Sequence, residues 1–104
     1  MNLDHLPDVE CDIREVARFY ESREPGLGKR AAQELWRHIL SLEVFAGIHS
    51  QRRGFYRMTT PKPFRFLIYY RLEDGLARVY GVFDGRRDPT AVSDALARRS
   101  SLLD

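Results

Sequence analysis

One stretch constrains this chain more than any other: Phe64–Pro89, FRFLIYYRLEDGLARVYGVFDGRRDP. Its first arm alternates side chains with the two-residue period of a strand. Phe64, Phe66, Ile68 and Tyr70 fall on one face, and Arg65, Leu67, Tyr69 and Arg71 on the other. Glu73-Asp74-Gly75 holds an Asp-Gly pair, which tolerates positive φ and closes a two-residue hairpin. The second arm runs from Leu76 to Phe83 and stops at Gly85-Arg86-Arg87-Asp88-Pro89, where glycine and proline end the ladder. The first face is expected to pack on helices. The second carries a row of guanidinium groups, and there the function is sought.

Charge sharpens that choice. Residues 1–49 hold six basic and nine acidic side chains, net −3, whereas residues 50–104 hold eleven and six, net +5. Between Arg52 and Arg87 stand Arg52, Arg53, Arg57, Lys62, Arg65, Arg71, Arg78, Arg86 and Arg87, against Glu73, Asp74 and Asp84. Arginine forks onto carboxylate or phosphate and stacks on flat rings, so such a sheet suits a polyanion or an acidic peptide. The plain alternative is a solvated face charged for solubility. No apolar run approaches the roughly 18–20 residues of a membrane span. The start, Met1–Pro7, lacks the basic and apolar regions of a signal peptide. The lone Cys11 forms no internal disulfide and fits a reducing compartment. A cytoplasmic protein of one domain, residues 1–104, is expected.

Along the chain, residues 1–6 offer a short edge strand and residues 7–46 a helix hairpin. Asp8 can cap the first helix, and Val9, Ile13, Val16, Ala17 and Tyr20 form its apolar stripe, ending near Arg23. Pro25-Gly26-Leu27-Gly28 breaks that helix. With no strand before it and no third glycine, this is a hairpin turn rather than a phosphate loop. A second helix is expected to run unbroken to Phe45. Residues 50–88 make an antiparallel meander in which Ser50–Thr60 is one strand, with Gly54 a bulge or a point of close packing. Residues 89–104 give a helix to Arg99 and a loose tail from Ser100. The fold class is α+β: an N-terminal antiparallel helix hairpin packed on a three- to four-stranded antiparallel sheet, with a short C-terminal helix.

PGLGKR (Pro25–Arg30) between two helices resembles the turn of the RelE/ParE toxin superfamily. The hairpin stretch is similar to the family's aromatic strand, "YR" ending, acidic turn, hydrophobic strand and GRRDP close. HLPDVECDIREVARFYE and IHSQRRGFYRM fall where the family keeps its first helix and its Arg-rich strand, so the likeness runs from about Leu3 to Arg99. It lies nearest the ParE, or plasmid-stabilisation, branch. Members commonly have histidine where this chain has Asp84, which would set a negative charge within the basic rim.

The resemblance implies the toxin of a bacterial type II toxin–antitoxin pair, neutralised by its cognate antitoxin, in a complex that can be a heterotetramer. The expected target is DNA gyrase. The alternative is a ribosome-dependent mRNA interferase, and the next a general nucleic-acid-binding module, recognised by steep salt dependence. Target-binding candidates are Arg53, Arg57, Arg65, Arg71, Arg86 and Arg87; antitoxin-binding candidates are Arg65, Tyr69, Arg71 and Arg86. Cleavage would need an acid and a base, but His5, His38 and His49 all precede the basic sheet. Tyr56, Tyr69 or Lys62 could stand in only with strongly lowered pKa values; the catalytic candidates are Arg57, Tyr69, Arg71 and Arg86, with no metal or cofactor expected. Tyr69 and Tyr70 are expected to be one buried and one exposed, Cys11 inert, and His49 a helix-end packing residue.

Overall fold

The structure, a computed structural model, describes residues 1–101. Strands β1 (Asn2–His5), β2 (Ser50–Arg52), β3 (Phe55–Thr59), β4 (Phe66–Glu73) and β5 (Leu76–Asp84) form a sheet of order β1-β5-β4-β3-β2. The α+β class is as expected, but the sheet has five strands and is mixed, because β1 runs parallel to β5. A parallel partner so far away in sequence leaves no turn signal to read. Ser50–Thr60 is a hairpin rather than one bulged strand. Arg53 and Gly54, at φ 53° and 84°, form its loop, and Asp74-Gly75 does the same between β4 and β5 at 50° and 77°. The second loop was announced by Asp-Gly; arginine before glycine is no such signal.

Helix α1 (Pro7–Arg23) has the bounds its stripe implies. Helix α2 ends at Leu40, and after Ser41 a separate turn of helix, α3, spans Leu42–Phe45. The turn between α1 and α2 follows from its side chains. Gly26 takes φ 87°, and the Glu21 carboxylate accepts hydrogen bonds from the backbone N–H groups of Gly26 and Gly28. It thereby satisfies donors that the start of α2 leaves open. A Cβ on Gly28 would lie 2.4 Å from the Ala17 carbonyl oxygen, so the two helices meet there through bare backbone.

The hairpin covers one face of the sheet. Val9, Ile13, Val16, Leu35 and Ile39 pack on Phe66, Ile68, Tyr70, Val79 and Val82. The other face is covered by α4 (Pro89–Ser101), whose Val92, Ala95 and Leu96 pack on Phe55, Tyr69, Tyr80 and Phe83. The helix thus takes in Ser100, which was expected in the tail; residues 102–104 lie outside the described residues. Both tyrosines of the Tyr69-Tyr70 pair are buried, against expectation, because each face has its own helical cover. A register shift opposite Tyr69/Tyr70 leaves Tyr80 as an extra residue in β5. Beyond it the side-chain phase reverses: Ala77 and Val79 share the helix-hairpin face with Val82, while Tyr80 and Phe83 face α4.

Candidate functional site

The face that alternation marked as charged is a groove of about 820 Å³ between the sheet and α4. Its walls include Arg52, Arg53, Arg57, Arg65, Arg71 and Arg87. Strand pairing sets Arg57 opposite Tyr69, so the guanidinium starts beside a buried ring. The Arg57 Nε is buried and has no hydrogen-bond partner. Arg71 is fixed: its guanidinium lies 4.2 Å from the Phe55 ring centroid and 5.1 Å from that of Tyr80, and it donates to the Gly54 carbonyl. Arg53 reaches across to α4 and donates to the Ser93 hydroxyl at 2.7 Å. Asp94 is the one carboxylate among the lining residues, so the groove attracts anions.

Most of the expected residues therefore converge. Arg86 does not. It sits around the end of β5, on the α1 side, gripped by Asp84 at 3.0 and 3.2 Å. Asp84 also accepts from the Tyr20 hydroxyl at 3.0 Å. Burial works against the charge on Asp84, yet the Arg86 guanidinium and backbone N–H and the Tyr20 hydroxyl hold its carboxyl below the usual range. Burial and the neighbouring carboxylate push the Tyr20 hydroxyl up. Asp84 thus puts its charge outside the basic groove rather than inside the rim, because a strand-end side chain here turns toward α1. Arg78 is committed elsewhere, bonded to Glu73 at 2.6 Å and to Asp4 at 3.4 Å.

Around Arg86 lies a second, smaller cleft of about 440 Å³, floored by Val16, Phe19, Val82 and Phe83. Sequence reading missed it, although Phe19 and Arg23, four residues apart, already share a helix face. It missed Asp12 as well. Asp12 sits in the buried stripe of α1, where it accepts from Arg99 of α4 at 2.7 and 2.8 Å and from the Val82 backbone N–H at 3.0 Å. Arg99 also donates to the Tyr80 carbonyl at 3.0 Å. β1 pairs with β5 only as far as Val79, so this ion pair closes the strand edge beyond. A carboxylate between Val9, Ile13 and Val16 was the available signal.

The histidines lie away from the groove. His49 Nδ1 meets the Tyr70 hydroxyl, which also accepts from the Gly47 N–H at 2.8 Å, so the pair fastens the loop before β2. His5 packs edge-on against Trp36. Cys11 is an exposed free thiol. Among the described residues no group of three or more His, Cys, Asp or Glu is placed to hold a metal ion, and no helix is long and apolar enough to cross a membrane.

No family model and no curated protein sequence matches this chain. Among solved structures it is similar to a chain of the "Chromosomal ParDE TA system from P. aeruginosa". The TM-score is 0.71, over 81% of this chain and 95% of that one, at 17% identity. The ParE-like fold implied by the PGLG turn and the GRRDP close is therefore the fold this chain adopts.

Proposed function

We propose that this chain is the toxin of a bacterial type II toxin–antitoxin pair. It acts in the cytoplasm on an essential target through the basic groove, and an acidic antitoxin segment holds it inactive by covering that groove. DNA gyrase is the target we assign first. The observation that carries the reading is the convergence of Arg52, Arg53, Arg57, Arg65 and Arg87 on one groove of a ParE-like fold. An anionic peptide that orders on binding would meet these guanidiniums with charge-assisted bonds.

The groove's lining residues include neither histidine nor lysine, and Tyr69 is buried beneath it. Acid–base cleavage of RNA has little to draw on there, which ranks the mRNA interferase second. The Arg57 guanidinium on the groove wall is the feature that favours it, as a positive charge beside a phosphorane. Induced expression with paired readouts separates the two. Broken DNA with intact transcripts is the expected result; codon-dependent transcript cuts with intact DNA would replace gyrase with the ribosome.

A further inference from the structure

We infer that the cleft between α1 and the end of β5 is a seat for an apolar-acidic peptide segment of the antitoxin, separate from the groove and joined to it at Arg87. The inference rests on the toxin reading above and places the partner's anchor within it. Asp12, Val16, Phe19 and Arg23 recur along one face of α1, making a trough about 16 Å long at the rise of an α-helix. Phe19, 37% exposed, is the large hydrophobic side chain at its centre. The guanidinium carbons of Arg23 and Arg86 each stand 4.8 Å from its ring centroid.

The charge of the rim defines the occupant. Asp12 is neutralised by Arg99 and Asp84 by Arg86, so the carboxylates nearest the floor are already spoken for. Arg23 has no carboxylate within salt-bridge distance among the described residues, and Arg87 has only Glu15 at 3.9 Å. A segment with an aliphatic or aromatic side chain to lay on Phe19, and carboxylates to meet Arg23 and Arg87, complements both features. Arg87 lines the cleft and the groove alike, so a chain anchored in the first is led directly into the second.

Fluorescence anisotropy with a labelled synthetic peptide alternating leucine and glutamate tests this on the full chain. The wild type is expected to bind. Phe19→Ser and Arg23→Glu are each expected to weaken binding about tenfold or more, and Arg65→Glu, confined to the groove, by less. Circular dichroism checks folding, and Arg23→Glu, at an exposed helix end, keeps the test decisive if Phe19→Ser unfolds. No binding by the wild type, or equal binding by the folded variants, overturns the assignment. So does a dimer of the wild type abolished by Arg23→Glu, which would give the cleft to a second copy. Growth arrest is scored separately: a chain that binds the peptide but arrests nothing sinks the toxin reading and spares the chemistry of the cleft.

Discussion

Asp12 shows how much one side chain can settle. It is buried, it neutralises Arg99, and it satisfies the Val82 N–H on a strand edge that no neighbour covers. Removing one partner of a buried pair costs about 3–5 kcal/mol, the low end applying here because Arg99 keeps Asp8 at 3.6 Å. Asp12→Ala is therefore expected to lower the urea unfolding free energy by about 3 kcal/mol. A loss under about 1 kcal/mol would mean that water replaces the carboxylate freely. The arginines divide in the same manner. Arg71, stacked on Phe55 and Tyr80, is expected to cost about 1–2 kcal/mol when changed to alanine. Exposed Arg65 should cost within about 0.5 kcal/mol. Sequence could list these arginines but could not rank them. Which guanidinium meets a ring, a carboxylate or solvent is decided by strands far apart in the chain.

At the scale of elements, local chemistry was a good guide where the turn lay inside the element pair. The hydrophobic spacing of α1 gave its bounds, and Asp74-Gly75 gave the β4–β5 hairpin. The rest depended on contacts that no local pattern encodes. β1 joins β5 in parallel from the far end of the chain, and the extra residue at Tyr80 reverses which side chains face α4. The groove was legible as a row of arginines; its second wall was not, because the short apolar stripe of α4 does not say which sheet face it will cover. The α1–α2 turn offers a check. Gly28→Ala must displace the Ala17 carbonyl, and a loss of about 1–3 kcal/mol is expected in chemical denaturation. An unchanged midpoint would show that the helices can separate at no cost.

The whole molecule carries its charge unevenly, and its stability should follow pH accordingly. His38 and His49 are held below the ordinary imidazole value, chiefly by burial. The unfolded chain thus binds protons that the folded one refuses as pH falls through about 6.5, and stability declines across that window. The stabilisation from Asp84, whose carboxyl is also lowered, persists above about pH 4 and is lost below. Unfolding free energy measured from neutral to acid pH should fall in both windows, and His49→Gln should shrink the first to the part that His38 contributes. A profile level through both would contradict the assigned environments.

The central claim is that the groove itself is the effector surface. Growth after induced expression in a bacterial host tests it most directly, comparing the wild type with Arg57→Ala combined with Arg65→Ala. The wild type is expected to arrest growth, and the double variant to be harmless while unfolding at nearly the same temperature. A folded double variant that arrests growth as strongly as the wild type would contradict it.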